Sequence, residues 1–365
     1  MRVLHLSSEK SWRGGEQQIA YLIGELKNQG VDCHVICKKD SAFSQYCIAQ
    51  GWAFQEAGFK NSFDILSAIK VSKYCRTHHI DLVHMHGSGS HGVGVLSAAF
   101  GNKSKFILSR RVDFPLKSNI FSRWKYNHPS IKRILCVSDK IKEIVKKSID
   151  NKGICRTVYS GIDLEKFSQS FKKNSLRKQY NLDEQTKLIG NTSAIADHKD
   201  YFTFVDTAEE VLKRQEKVCF FIFGTGSLLQ EVKDYIAEKG LTEKIIFTGF
   251  INNIPEVLPE LDVFLMTSKT EGLGTSLLDA MAARVPIVAT EAGGIPEIVI
   301  DGNTGLSAKV KDFISLSDHV INLINDDELA IRLVTNAAKF VLKFDKKETA
   351  KHTLQVYKEI LKEND

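Results

Sequence analysis

The feature that most constrains the fold is a repeated alternation of short apolar runs with longer amphipathic stretches. This alternation predicts parallel strands joined by helical crossovers, which is the pattern of an open α/β sheet. In the first half of the chain the apolar runs predict strands at 2–7, 31–37, 81–86, 105–109 and 133–138. The amphipathic stretches of that half predict helices near 15–29, 63–78, 91–100 and 139–149.

The alternation restarts in the second half. Apolar runs there predict strands at 187–193, 218–224, 244–250, 263–268 and 286–290. Helices are predicted near 200–214, 227–239, 274–284, 313–325 and 328–342. Between the halves, the polar and lysine-rich stretch 160–185 is the predicted linker.

These patterns predict an α/β protein of two domains. The length of 365 residues also favours two domains, and we expect Rossmann-like domains over 1–165 and 166–345 that face each other across a cleft. Ligands of such sheets bind beyond the carboxyl ends of the strands. Loops of both domains should therefore line the cleft.

The composition excludes several classes of protein. Hydrophobic residues make up 43% and charged residues 26%, which is typical of an ordinary soluble globular protein. The seven cysteines lack both the paired spacing of a zinc site and the density of a disulfide framework, so we expect reduced, mostly buried thiols. No apolar run approaches the roughly 20 residues that cross a bilayer, and the N-terminus resembles a strand rather than a signal sequence. We therefore expect a cytoplasmic protein.

Positive charge is concentrated between residues 103 and 147. This segment has thirteen Lys or Arg against three acids, although the net charge of the chain is only +6. Apolar and aromatic residues accompany the charge: Phe114, Ile120, Phe121, Trp124 and Tyr126. Such a surface suits an anionic membrane face or an acidic acceptor, so we expect peripheral contact with the inner face of the plasma membrane and no nucleic-acid partner. A solvated basic face is the open alternative.

A glycine pair, Gly14–Gly15, follows the first predicted strand and begins a helix. Adjacent glycines let the backbone approach a ligand, and the amides and dipole of a helix N-terminus favour a phosphate. Read alone, the pair can equally shape a strand-to-helix turn. The dinucleotide fingerprint GxGxxG is absent at this turn, and GTG at 224–226 supplies only two of its glycines, which argues against a hydride-transferring enzyme.

The stretch 267–309 carries the most specific pattern. A predicted strand ends at Ser268, Glu271 lies in a loop with Gly272 and Gly274, and a helix follows at once. Carboxylates accept hydrogen bonds from sugar hydroxyls, and loop and helix amides bind a diphosphate, so the pattern fits a sugar joined to a diphosphate. Asp279 lies eight residues after Glu271, and we expect the two acids to bracket the ligand. Read singly, Glu271 can cap the helix and Asp279 can be a surface acid.

This block resembles the signature of retaining GT-B glycosyltransferases of the nucleotide-sugar-dependent family four. The signature is an acid, seven residues, a second acid, a small-residue helix, a Pro-led strand and GG-x-P-E, which ends here at GGIPE 293–297. The resemblance extends over nearly the whole chain, through DLVHMHG at 81–87, YSGIDLEKF at 159–167, HKD at 198–200, FGTGSLL at 223–229 and TGF at 248–250. SWRGGEQQ at 11–18 and SRRVDFP at 109–115 look more narrowly like a branch with bacterial lipopolysaccharide and surface-glycan transferases.

The resemblance implies a role for each matching residue. Glu271 and Lys199 are the implied catalytic residues, with Glu271 on the hydroxyls of the donor sugar and Lys199 on the diphosphate. Asp279 is implied to accept hydrogen bonds from the ribose diol. The other implied donor-binding positions lie in loops or at helix starts: Gly14, Gly15, Gly224, Gly226, Thr248, Gly249, Phe250, Gly272, Leu273, Gly274 and Thr275. His86, Arg110 and Arg111 are candidates to line the acceptor cleft.

The chain departs from the family pattern at several positions. Asp279 is one methylene shorter than the usual Glu, and Ala194 stands where many relatives have a second diphosphate-binding Arg. Arg284 replaces a usual Gly at a helix end, so either the turn avoids positive φ or some strain is tolerated. A His common after the fourth strand of the N-terminal domain is replaced by Arg110 or Arg111.

The histidines raise the question of a metal. His84 and His86 form H-x-H with His91 nearby, but the sequence offers no carboxylate or third ligand at helical spacing. Ordinary packing and lining of the acceptor cleft stay open for them. We expect no metal and no other cofactor, because in the family that the chain resembles the domains themselves bind the diphosphate.

The implied activity is transfer of a sugar from a nucleotide-diphosphate donor to an acceptor hydroxyl with retention, in lipopolysaccharide or other surface-glycan or glycolipid synthesis. The resemblance also implies that a helix over 346–365 packs back on the first domain; a simple terminal helix is the alternative. Two other functions stay open, a sugar-nucleotide epimerase and a non-catalytic sugar-nucleotide-binding subunit. The sugar, the base and the acceptor are not specified by the sequence.

Overall fold

The structure is a computed structural model that describes residues 1–116, 119–168 and 174–363. Parts of three predicted segments lie outside the described residues: 117–118 of the basic segment, 169–173 of the linker and 364–365 of the terminal helix. The chain divides into two compact units. The N-terminal unit consists of Met1–Gly161 with Lys346–Asp365, and the C-terminal unit consists of Ile162–Asp345.

The N-terminal unit is built on a parallel sheet. Its strands are β1 (Arg2–Ser7), β2 (Asp32–Lys38), β3 (Phe54–Ala57), β4 (Leu82–Met85), β5 (Lys105–Arg110), β6 (Ile131–Cys136) and β7 (Cys155–Thr157). The spatial order is β3-β2-β1-β4-β5-β6-β7. The described helices of this unit are α1 (Gly14–Asn28), α2 (Ala42–Ala49), α3 (Ile65–Thr77), α4 (Ser88–Ala98), α5 (Ile120–Tyr126), α6 (Asp139–Lys146) and a C-terminal helix at Lys346–Lys362.

The C-terminal unit has a second parallel sheet. Its strands are β8 (Lys187–Thr192), β9 (Val218–Phe223), β10 (Ile245–Gly249), β11 (Val263–Met266), β12 (Ile287–Thr290) and β13 (Leu306–Ala308), in the order β10-β9-β8-β11-β12-β13. The described helices are α7 (Ser175–Gln179), α8 (Tyr201–Leu212), α9 (Leu229–Glu238), α10 (Ile254–Val257), α11 (Thr275–Ala282), α12 (Phe313–Asn325) and α13 (Asp327–Phe340); the helix at Lys346–Lys362 is α14.

The central strands are buried on both faces, as parallel sheets require. Every residue of β9, Val-Cys-Phe-Phe-Ile-Phe, is buried. The C-terminal core packs Phe204 and Val205 of α8 against Phe220 and Ile222 of β9. The N-terminal core joins α1, β1 and β2 to α14 through the fully buried Tyr357.

Helix N-termini differ in how they are capped. Several helices begin with a side-chain cap, for example α3 at Asp64, α6 at Ser138 and α12 at Asp312. In contrast, the residues that precede α1, α4 and α11 provide no side-chain cap, and two of these residues are Gly87 and Gly274. Helices α1, α4 and α11 follow β1, β4 and β11 directly. Their N-termini are therefore suited to bind an anion.

The expected fold class, an α/β protein with two Rossmann-like sheets, is confirmed. The predicted long strands are present within one or two residues of their predicted ends. The sequence did not reveal the helices α2, α5, α7 and α10 or the short strands β3, β7 and β13. Strands of three or four residues, such as Cys-Arg-Thr in β7, are too short to show a period. Within the described residues, no helix has the length and apolar character needed to cross a membrane.

Arg284 adopts a left-handed conformation with φ of 59° just after α11. The strained alternative expected from sequence is therefore the one observed. We expect Arg284→Gly to stabilise the C-terminal unit by about 0.5–1 kcal/mol, because glycine removes the steric cost of positive φ. The greater conformational entropy of glycine in the unfolded chain offsets part of this gain. Calorimetric unfolding measures this, with Arg284→Ala as the control that retains Cβ. An equal gain in Arg284→Ala would assign the effect to the side chain instead.

Candidate active site

The predicted donor residues lie at the carboxyl ends of the central strands of the C-terminal unit. In the order β10-β9-β8-β11-β12-β13, successive strands are added in opposite directions from the boundary between β8 and β11. Ligands of doubly wound sheets bind at such a switch point. Lys199 follows β8 and Glu271 follows β11, so the topology places both at this switch point.

Lys199 and Glu271 form an ion pair. The Lys199 Nζ lies 2.6 Å from Glu271 Oε2, and the two side chains are 13% and 14% exposed. Ser268 Oγ donates to the same carboxylate at 3.3 Å. Behind Lys199, the hydroxyl of Thr267 donates to the carbonyl of Asp200 at 3.0 Å and ties the loop after β8 to the end of β11. The structure thus brings the two predicted catalytic residues together, in a pairing that the sequence did not indicate.

The loop after Glu271 ends in an open helix N-terminus. Gly274 has φ of +90°, and a Cβ there would meet Leu277 at 3.0 Å, so this position requires glycine. Helix α11 begins at Thr275 without a side-chain cap. Leu273 is 2% exposed and can offer a ligand only its backbone, whereas Gly272 and Thr275 are half-buried. The amide of Gly294 donates to the Glu271 carbonyl at 2.9 Å and fixes the loop from the GGIPE side.

Asp279 lies farther along α11, beyond the Lys199–Glu271 pair. Its carboxyl accepts no hydrogen bond from the described residues, and burial raises its pKa to about 7 while the charge of Lys166 opposes that shift. A carboxyl group without a protein partner is available to accept hydrogen bonds from a ligand. The structure does not test whether the two acids bracket a ligand, so this stays a prediction.

Two loops next to the switch point contain the other predicted positions. A Cβ on Gly224 or Gly226 would lie 2.1 Å from the carbonyl oxygens of Ser193 and Ile195, so both glycines allow the turn after β9 to pack on the loop after β8. At the end of β10, Gly249 has φ of +76° and Phe250 is 70% exposed. The Thr248 hydroxyl donates to Ile222 O at 3.4 Å.

In the N-terminal unit, Gly14 and Gly15 form the first turn of α1. A Cβ at either position would meet no atom within 4 Å, and Arg13, before them, provides no side-chain cap. The open space over this turn is what a phosphate contact through backbone amides requires. The turn follows β1, which neighbours β4 at the point where the strand order reverses.

His86, a predicted acceptor residue, belongs to a buried network that sequence reasoning missed. Its Nε2 lies 3.0 Å from His5 Nδ1, and Arg111, the second acceptor candidate, approaches His86 Nδ1 at 3.5 Å. Burial lowers the pKa of the Arg111 guanidinium to about 10, and the charge of Glu16 opposes this. Glu16 is itself 2% exposed, and burial raises its pKa. His5 could have been suspected because it pairs in register with His84 once β1 is placed beside β4.

Three histidines are close enough to hold a metal ion. His5, His84 and His86 each offer a ligand atom within 4.8 Å of the others. The third histidine of this group is His5, on the neighbouring strand β1, and not His91, whose Nε2 lies 2.9 Å from the Lys125 carbonyl oxygen. Both nitrogens of His84 already have partners, the Tyr357 hydroxyl and Ser109 Oγ. That pairing and the neighbouring Arg111 charge favour a hydrogen-bonded neutral cluster over an ion.

The third acceptor candidate, Arg110, ends β5. Its Nη1 donates to the Tyr126 hydroxyl at 3.1 Å and its Nη2 donates to the Phe114 carbonyl. Arg110 therefore joins Phe114, after β5, to Tyr126 of α5.

The fold and the site together define a glycosyltransferase of the GT-B class. The model described as Glycosyl transferases group 1 matches residues 172–340, and the model described as Glycosyltransferase Family 4 matches residues 12–166. The chain belongs to family four of the GT-B glycosyltransferases.

Three known proteins illustrate the similarity. The chain is 25% identical to an N-acetyl-alpha-D-glucosaminyl L-malate synthase of Bacillus anthracis, over 73% of this chain and 71% of that protein. It is 30% identical to the lipopolysaccharide core biosynthesis mannosyltransferase LpsB of Rhizobium meliloti, over 56% of this chain and 61% of that protein. The crystal structure of Anabaena HepE in complex with UDP and glucose superposes with a TM-score of 0.84 at 18% identity, over 98% of this chain and 100% of that chain.

Proposed function

We propose that this enzyme transfers a glycosyl group from a nucleotide-diphosphate sugar to an acceptor hydroxyl with retention of anomeric configuration. The observation that carries the proposal is the half-buried Lys199–Glu271 pair beside the uncapped N-terminus of α11. A cation and free amides stabilise the charge that develops on a departing diphosphate. Membership in family four favours this activity over an epimerase or a non-catalytic binding subunit.

Donor binding in this proposal exchanges the partners of the ion pair. The diphosphate takes Lys199 from Glu271, and the Glu271 carboxylate then accepts hydrogen bonds from hydroxyls of the transferred sugar. The ion pair keeps both groups charged and correctly oriented before the donor arrives. Asp279 accepts from the ribose diol, and Phe250 covers the base from the end of β10.

The acceptor in this proposal is part of a bacterial surface glycan or glycolipid. Support comes from the narrow resemblance of residues 11–18 and 109–115 and from the similarity to the lipopolysaccharide core mannosyltransferase. The UDP complex of the structurally similar HepE makes UDP sugars the first donors to test.

The test is a donor panel of UDP-, GDP- and ADP-linked hexoses and an ADP-heptose. We expect one donor to raise the thermal unfolding temperature of the wild-type protein and to be hydrolysed slowly to free nucleoside diphosphate. Glu271→Gln should reduce hydrolysis of that donor, and Lys217→Gln, on the surface of the same unit, is the control. Stabilisation without hydrolysis, and without transfer to any glycan acceptor, would favour the non-catalytic alternative.

We expect donor affinity to depend on pH through Asp279. Its pKa of about 7 means that the carboxyl is half protonated at neutral pH, and ribose hydroxyls donate better to the ionised form. Affinity should therefore rise between about pH 6 and pH 8, approaching tenfold per unit at the acid end. Calorimetric titration measures it, and Asp279→Asn should remove the slope. A slope that persists in Asp279→Asn would place the titrating group elsewhere.

The proposal includes peripheral contact with an anionic membrane through one apolar surface of the N-terminal unit. Leu66 and Ile69 on α3 and Ile120 on α5 are 75%, 42% and 89% exposed. Phe63, before α3, joins the two helices because its ring centroid lies 3.9 Å from that of Phe121. Trp124 extends this surface and is 41% exposed. We call Phe63, Leu66, Ile69, Ile120 and Trp124 the α3–α5 patch.

Exposed basic residues flank the α3–α5 patch in the sequence and suit anionic lipid. They are Lys60, before Phe63, Lys73, four residues after Ile69, and Arg123, next to Trp124. The prediction that Tyr126 contacts lipid was wrong: it is 5% exposed and accepts the hydrogen bond from Arg110.

We expect the double variant Leu66→Ser, Ile120→Ser to bind phosphatidylglycerol vesicles at least about tenfold more weakly than wild type, because two apolar side chains lose their insertion into lipid. Binding of the wild type should also fall steeply with salt. Vesicle sedimentation measures both. The matched control is Ile331→Ser, which changes an isoleucine that is 66% exposed on α13. Equal binding of all three proteins would refute the contact.

A further inference from the structure

Helix α4 begins with a glycine pattern that has no assigned role in donor binding. Residues 87–92 read Gly-Ser-Gly-Ser-His-Gly, follow β4 and start the helix. Glycines at this spacing let a phosphate approach the backbone and let the helix pack closely. A Cβ on Gly89 would lie 2.7 Å from Ser8 Oγ, and one on Gly92 would lie 2.5 Å from the Ser62 carbonyl oxygen. The glycines are therefore needed for the close approach of neighbouring segments at this turn.

The N-terminus of α4 is open to a ligand. No side chain of Gly87 can cap it, and its φ of +148° is a conformation that favours glycine. The Ser8 hydroxyl accepts from the Ser90 amide at 3.2 Å. Within the described chain, the amides of Ser88 and Gly89 have no such acceptor, and Ser88 is exposed. These two N–H groups can therefore donate to an anion.

A buried lysine lies at this N-terminus without a counter-ion. Lys125 is 5% exposed, and its Nζ donates to Ser88 Oγ at 3.2 Å. No carboxylate of the described residues is within ion-pair distance of Lys125. Burying an ammonium group without an anionic partner is unfavourable, so the site is electrostatically incomplete.

A second cation increases this imbalance. Arg110 donates to the Tyr126 hydroxyl at 3.1 Å, and Lys125 Nζ lies 5.6 Å from the centroid of the same ring. Burial lowers the pKa of Lys125 to about 8, and the charge of Arg110 adds to this shift. Arg110 also forms no ion pair with any described residue. An anion bound between Arg110 and Lys125 would relieve the repulsion between the two cations and form charge-assisted hydrogen bonds with them.

We propose that the N-terminus of α4, Lys125 and Arg110 bind a phosphate group of the acceptor. A phosphate dianion would accept from the Ser88 and Gly89 amides and neutralise both cations. The anion site is inferred from these contacts alone. That its anion belongs to the acceptor rests on the proposed glycosyl transfer. The acceptor class that follows is a sugar phosphate, either soluble or linked to a lipid through phosphate.

The first experiment titrates inorganic phosphate into the full chain at constant ionic strength, with binding measured by calorimetry. We expect Lys125→Met to weaken binding by at least about tenfold, and Arg110→Gln to weaken it in the same direction. Lys142→Met is the matched control, because Lys142 is already paired with Asp139. Lys199→Met separates this site from the donor site: binding at α4 persists in it. No phosphate binding by wild type, or equal binding by wild type and both site variants, overturns the proposal.

Proton uptake on phosphate binding tests the site in the wild-type protein alone, so this test does not depend on whether a variant folds. Near pH 8 about half of Lys125 is neutral, so phosphate should draw a proton onto it. Calorimetry in buffers of different ionisation enthalpy detects this uptake. Phosphate binding without proton uptake at any pH between about 7 and 9 contradicts binding at Lys125.

The second experiment identifies the source of the phosphate by competition with inorganic phosphate. Displacement by glucose 1-phosphate but not by glucose indicates a soluble sugar phosphate. Displacement by a short-chain polyprenyl phosphate in detergent, with no effect of glucose 1-phosphate, indicates a lipid-linked acceptor. Displacement by neither compound overturns the assignment to the acceptor. The donor panel is independent of these results, so failure of the proposed transfer and failure of this site are distinguishable.

Discussion

Lys199→Met should lower the turnover number of donor hydrolysis and of transfer by about 10²–10³-fold, because it removes a preorganised cation from the departing diphosphate. The side chain is 13% exposed, so water cannot fully replace its charge. Lys199→Arg should recover part of the rate, since it keeps the charge but changes the geometry. Steady-state kinetics with the stabilising donor separates kcat from KM.

The substitution also leaves Glu271 without its partner, which can lower stability. Calorimetric unfolding of Lys199→Met and of the double variant Lys199→Met, Glu271→Gln distinguishes this effect: the double variant should recover stability but not activity. The control is Lys269→Met, which changes a lysine of the neighbouring loop that is paired with Asp197. A kcat of Lys199→Met within about threefold of wild type would refute the electrostatic role.

Lys199 and Asp279 differ in what limits their interaction with the donor. Lys199 reaches the donor region already paired with an acid, so donor binding must break one interaction before it gains another. Asp279 has no described side-chain partner and is limited by its own protonation. The first residue should therefore affect mainly turnover, and the second should affect mainly the pH dependence of affinity.

The sequence predicted those parts of the molecule that depend on local pattern. Buried strands such as β9 are uniformly apolar, so the core sheets could be found, and the Glu271 loop could be recognised because its acid and glycines are adjacent in sequence. His5 can be linked to His84 and His86 only once the register between β1 and β4 is known, and local sequence pattern does not specify that register. Lys125 looked like part of a surface basic segment, and only the packing of α5 on the start of α4 shows that it is buried.

Acidification should destabilise the N-terminal unit well before most carboxylates titrate. Burial lowers the pKa of His5 to about 3 and holds the pKa values of His84, His86 and His91 well below the ordinary 6.5. These histidines are neutral when folded and become charged when unfolded below about pH 6.5. Their contribution to stability is therefore complete above pH 6.5 and is lost as the pH falls. The loss approaches about 1.4 kcal/mol per pH unit for each histidine.

Tryptophan fluorescence isolates this effect, because Trp12, Trp52 and Trp124 are the three tryptophans of the chain and all belong to the N-terminal unit. Urea unfolding followed at about pH 7.5 and pH 5 should show a fall of several kcal/mol in the free energy of unfolding. Glu16 opposes the fall, since its raised pKa favours the folded state as the pH drops. His86→Asn should reduce the pH dependence of the free energy of unfolding by the contribution of one histidine. His352→Asn, which changes an exposed histidine of α14, should leave that pH dependence unchanged. Equal unfolding free energies at the two pH values would mean that the cluster accepts protons in the folded state, which its complete burial makes unfavourable.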